Sequence, residues 1–190
     1  MAQNTPNADG GSEVENPAAD LDTIVVDPDN VIEAMRRNDR DSDEQRSHVL
    51  RVTPPLEGEQ TATPYVSEAH AHYPPELSQK PLHLIPEAFV VGDGAGSRHP
   101  DWRNEWSYPD YGTEKHRFRD EIDAWEDDGG TRPLTDDEED EWEEWWETVV
   151  EMWEDRVRHQ LKNTKELTLT SQLPDTDDTT VSLRVEEGSQ

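Results

Sequence analysis

Apolar positions along this chain come in short, separated bursts, and the spacing within each burst predicts an element. The stretch after Asp27 (PDNVIEAMRR) predicts a short helix near 28–37. Asp27 suits the N-cap and Pro28 the first helical position, and Val26 and Val31 suit the two ends of a hydrophobic staple. Val31, Ile32 and Met35 then share one face. A helix of about three turns is marginal alone in water. Its apolar face therefore packs on the chain's own domain or folds against a partner. The second option makes Val26, Val31, Ile32 and Met35 candidate partner-binding residues.

Further on, the period shortens. Val49, Arg51 and Thr53 alternate with His48, Leu50 and Val52 until Pro54-Pro55 stops the run. A turn at Glu57-Gly58 would return the chain into QTATPYVSE, an edge strand because of Pro64. Leu82, Leu84 and Ile85 predict another short strand. Leu167 and Leu169 alternate with Thr168 and Thr170, and Val181, Leu183 and Val185 alternate with Ser182 and Arg184, which predicts a C-terminal hairpin with one buried face.

Two helices are expected between these strands. The first spans 113–127, with Thr113 as cap, Phe118, Ile122 and Trp125 on one face, and Gly129-Gly130 at its end. The second spans 136–162, opened by a capping box of Thr135 and Glu138. Trp142, Trp145, Trp146, Val149, Val150, Trp153 and Val157 fall in one stripe at about 100° per residue. Acids fill its first turns, and Arg156, Arg158 and Lys162 its last, matching the helix dipole. The stripe reads as core, because a chain poor in aliphatics needs aromatic volume to fill an interior. The lesser alternative is that it serves a homodimer through this Trp-rich helix.

The expected fold class is α+β: a small antiparallel sheet of 48–67, 82–85 and 166–185, covered by the two helices as an antiparallel pair. It would occupy 47–187. Residues 1–46, polar and acidic apart from the short helix, are expected to be a disordered arm.

Charge changes the picture most. Among 190 residues, 46 Asp and Glu face 17 Lys and Arg, a net charge of −29. Self-repulsion of that size opposes a compact state in dilute buffer. In molar salt the Debye length falls to about 3 Å and most of it is screened. The acids are spread along the chain, most of the cations are arginine, and there are seven Trp. In these respects the chain resembles cytoplasmic proteins of haloarchaea. Its VLRVTPP segment, Val49 to Pro55, is similar to short uncharacterised haloarchaeal proteins, a resemblance that implies no particular activity.

The acidity also disfavours nucleic acid, which needs clustered cations. No apolar run reaches the roughly 18 residues of a membrane span, and the first residues lack a signal-peptide pattern. With no cysteine there is neither disulfide nor thiolate chemistry. The expected location is the cytoplasm.

Candidate chemistry is sparse. His70, His72 and His83 could ligate a metal, with Glu68 and Glu76 nearby, but the spacing lacks the HExxH arrangement. Gly92, Gly94 and Gly96 match neither phosphate-loop pattern and no Lys-Ser/Thr follows, so they read as a loop. Trp102, Trp106, Tyr108 and Tyr111 form an aromatic cluster suited to a binding surface or to a lid over the core. The basic runs Lys115–Arg119 and 156–165 are the only stretches that could meet phosphate. No catalytic set and no cofactor motif is recognisable.

These observations favour a non-enzymatic module that binds a protein partner. A metal-dependent enzyme using the histidines and a nucleic-acid-associated factor are the alternatives. If the acidity is a salt adaptation, the melting temperature followed by circular dichroism rises steadily from dilute to molar KCl. A flat or falling melting temperature would contradict it.

Overall fold

A computed structural model of the chain describes residues 18–40, 46–68, 79–92, 106–126, 130–169 and 178–186. Strand β1 (Asp20–Val26) leads directly into helix α1 (Pro28–Arg40). Strands β2 (Arg46–Val52), β3 (Glu57–Thr61), β4 (Thr63–Glu68) and β5 (Leu82–Leu84) follow. Then come helices α2 (Pro86–Val91), α3 (Tyr111–Glu121) and α4 (Asp136–Asn163), and last the strands β6 (Glu166–Leu169) and β7 (Thr179–Val185). The class is α+β, as expected.

The strands form two sheets rather than the single antiparallel one expected. One has the order β3-β1-β7-β6 and the other β4-β2-β5. In the first, β1 runs parallel to both neighbours: Ile24 lies opposite Gln60 on one side and Leu183 on the other. The predicted hairpin is present, with β6 and β7 paired antiparallel, Leu167 opposite Val181. The second sheet is antiparallel throughout, and β4 is its edge strand, carrying Pro64 where no ladder donor is needed.

One run of chain joins the sheets. β3 pairs with β1, and one residue later β4 pairs with β2. At the crossover Ala62 is buried and its N–H donates to the Val25 carbonyl at 2.8 Å. The expected turn at Glu57-Gly58 is instead the start of β3. Gly58 takes a positive φ of 56° there, beside the register shift in β1.

The N-terminal segment departs most from expectation. Residues 20–40 are part of the core and do not form an arm. Ile24, Val25 and Val26 are buried, as suits a strand covered on both faces. Asp27 occupies the predicted cap position, its side chain accepting from the Asp29 N–H at 2.9 Å. Asn38, near the end of α1, pins the helix to β2. It donates to the His48 carbonyl at 2.8 Å and accepts from the His48 N–H at 2.6 Å. Residues 1–17 and 41–45 lie outside the described part.

The interior is one contiguous cluster. Ile24 and Val26, Val31 and Ile32 of α1, Leu50 and Val52 of β2, and Phe89 of α2 meet Trp153, Val157 and Leu161 of α4. α1 is further tied to α4 by ion pairs, Arg36 to Glu154 and Asp29 to Arg158, while Arg158 also pairs with Glu154 within α4. α2 ends at Gly92, in the left-handed region at φ 78°. A Cβ there would come within 3.0 Å of the Glu166 carbonyl, so this close approach to β6 suits glycine alone.

Because β1 is central, Ile24→Ala should cost about 2–5 kcal/mol of unfolding free energy in urea at fixed salt. A loss well under 1 kcal/mol, the size of an ordinary surface substitution, would contradict a buried β1.

Candidate functional site

Among the described residues, α3 and the first half of α4 build the face that carries Met152, the most exposed large apolar side chain. Their placement begins with their ends. Asp110 caps α3 by accepting from the Thr113 N–H at 2.7 Å, and these bonds hold its carboxyl below the ordinary range. The helix thus starts two residues before the position expected from Thr113. It also stops at Glu121, earlier than the expected 127. Asp123 then adopts a positive φ of 54°, and Trp125 pairs with Thr131 in an isolated bridge. Trp125 stacks on His116 in this turn and does not join an apolar helix face.

α4 opens with the predicted capping box. The Glu138 carboxylate accepts from the Thr135 N–H at 2.8 Å, and the Thr135 hydroxyl accepts from the Glu138 N–H at 3.4 Å. Arg132 grips the same carboxylate through both guanidinium nitrogens, at 2.6 and 2.7 Å. This grip, followed by the backbone bond to Thr135, holds the Glu138 carboxyl at about 2.

Between the helices lies an aromatic seam. Tyr111 accepts from the Trp142 indole N–H at 2.9 Å, and its ring meets Trp142 and Trp146 edge-on. Phe118 packs on Trp142 and Trp145. Tyr108 fits edge-on against Trp146 and Trp153, and Trp153 donates its indole N–H to the Trp106 carbonyl. The 106–111 segment is therefore a strap laid along α4. Lys115 stands over the Tyr111 and Trp142 rings, and Arg156 over Trp106.

The predicted stripe on α4 divides here. Trp153, Val157 and Leu161 face the main core, and Trp142 is buried under α3. Trp145 and Val149 stand on the outer edge, only partly covered. Beside them Met152 is 69% exposed, the most exposed large apolar side chain among the described residues. With Phe118 and Ile122 they line a groove of about 570 Å³. Its rim carries Glu121, Glu141 and Glu144, none of which has an ion-pair partner among the described residues.

Past Val149 and Met152 the groove opens into a cleft of about 830 Å³ beside the end of α1. Asp39, Asp110 and Glu114 meet Arg117 and Arg156 there. Burial, with Asp110 close by, raises the Asp39 carboxyl, and Arg40 opposes the rise. Glu114 is almost buried and pairs with Arg117 at 2.7 Å. The cleft is thus mixed in charge, whereas the groove rim is acidic only.

The residues proposed from sequence fare unevenly. Val26, Val31, Ile32 and Met35 are buried in the chain's own core and offer no surface to a partner. Trp106, Tyr108 and Tyr111 are brought together on α4, where Tyr108 is buried and Tyr111 is half exposed. Trp102 lies outside the described residues, as do His70 and His72. His83 sits on the second sheet, stacked on Tyr65, with its Nδ1 3.4 Å from the Ser67 hydroxyl. Burial lowers its basicity and Arg51 lowers it further. Among the described residues no group of three or more metal-ligating side chains is gathered. Of the basic run on α4, Arg158 is engaged by Asp29 and Glu154 and Arg156 by Trp106. Trp145 and Val149 belong to the stripe read from the sequence as core or homodimer face, whereas Ile122 and Met152 were not picked out there as a surface. The available signal was the width of the stripe, which leaves one edge for α3 and one for the core.

Among the described residues no helix is long and apolar enough to cross a membrane. Residues 11–186 match the model of a family described as a domain of unknown function (DUF8009). No curated protein and no solved structure matches the chain.

The depressed Glu138 carboxyl contributes stability above the ordinary carboxylate range and loses it as pH falls towards about 2. Glu138→Gln should therefore lower the urea midpoint near pH 7, and the gap from the parent should close near pH 2. A gap of equal size at both pH values would contradict the grip of Arg132.

Proposed function

The chain belongs to this family of unknown function, and we propose that it is a non-enzymatic protein-binding module whose contact surface is the α3–α4 groove. The observation that carries the reading is the exposure of Met152 in line with Trp145 and Val149. In a chain only 30% hydrophobic, an apolar groove left open lies where a partner would most reduce water contact. Methionine suits such a surface because its unbranched side chain adapts to what it meets. The aromatic seam beneath keeps the groove's floor rigid, so little ordering is needed on binding.

The setting of this reading is a salt-rich cytoplasm, supported by the net charge of −29 and the arginine-dominated cations. There, apolar contact and close ion pairs outlast long-range attraction, which is screened beyond a few ångströms.

The test is affinity capture from the native host at molar KCl, with tagged parent and tagged Met152→Glu compared by quantitative mass spectrometry. A partner held by the parent and reduced about tenfold or more on the variant is the expected result. Identical sets of proteins on both would contradict the reading.

A further inference from the structure

Resting on that reading, we infer that the groove's occupant is a basic amphipathic helix of a partner protein. Three features of the groove select it. Its walls are two packed helices, so it receives a rod with side chains at i, i+3, i+4 and i+7 rather than a strand, which needs a free sheet edge. Its floor is apolar: Phe118, Ile122, Trp145, Val149 and Met152. Its rim is acidic only: Glu121, Glu141 and Glu144 lie exposed without ion-pair partners among the described residues. A cationic flank on the incoming helix satisfies all three.

Charge complementarity also decides against a second copy. Two of these faces brought together would press the same carboxylate rims against each other at contact distance. Carboxylates closed into such an interface lose hydration with no cation to compensate, and like charges juxtaposed there cost affinity. The cations near the groove offer no relief. Lys115 is held by Glu139 and over the aromatic rings, and Arg117 is held by Glu114. The adjoining cleft mixes both signs, so the rim sets the sign of the partner.

The probes are two peptides of about 18 residues with the same leucine stripe, one with Lys and Arg on its polar face and one with Glu. Binding to the full chain is followed by fluorescence anisotropy at molar KCl, where loose attraction to an acidic protein is suppressed. The basic peptide should bind at least about tenfold tighter than the acidic one. Met152→Glu should weaken it by about the same factor, and E121K/E141K/E144K should reverse the preference between the peptides. All four substituted positions are exposed, so these variants retain the parent's circular dichroism.

Failure of the basic peptide to bind, or binding that Met152→Glu leaves unchanged, would overturn the inference. So would light scattering that gives a dimer in the parent and a monomer in Met152→Glu, because a second copy then fills the groove. If the host partner is lost with Met152→Glu but held equally by the charge-reversed variant, the groove is a binding site and the basic helix is wrong. The two readings thus fail separately.

Discussion

Backbone pairing along β1 holds together three parts of the chain that are far apart in sequence. Its N–H and C=O groups meet β3 on one side and β7 on the other, so positions near 24, 60 and 183 become neighbours. An unpaired backbone group buried here would be costly, and every one of these pairings closes a long loop. Such a strand holds only if both its faces are covered. α1, α2 and the second half of α4 share in that cover through Val31, Ile32, Phe89, Trp153, Val157 and Leu161.

From that requirement the role of α4 follows. It is a single helix of 28 residues whose two halves do different work. The second half closes the main core and is locked to α1 by the Arg36–Glu154 and Asp29–Arg158 pairs. The first half projects past the core and carries α3 on the aromatic seam. In a chain this acidic the seam supplies much of the apolar contact that fixes α3. Where α3 ends, the outer edge of the stripe is left open with carboxylates around it. The groove is thus a consequence of how the core is built: the face that α3 does not reach is the face a partner can use.

Sequence patterning made the local features legible. The Thr135–Glu138 box, the Asp27–Pro28 start of α1 and the 166–185 hairpin rest on contacts within a few residues or on clean alternation. β1 was hidden because Thr-Ile-Val-Val abuts a strong helix cap and reads as its flank. Parallel pairing also leaves no turn in the sequence to announce it. The split into two sheets was equally silent, since it depends on a switch of partners at Ala62. As for the site, periodicity placed Trp145, Val149 and Trp153 on one stripe. Only the packing of α3 shows that one edge of that stripe stays uncovered.

The central claim is that the N-terminal strand and helix belong to the same core as the second half of α4, which leaves the α3–α4 edge as the open face. Hydrogen–deuterium exchange on the full chain at molar KCl tests it most directly. The account predicts that amides of 22–26, 31–36 and 154–161 exchange together, at the slowest rates in the chain. Exchange of 22–36 at coil rates, with 154–161 still protected, would return that segment to a detached arm and contradict the account.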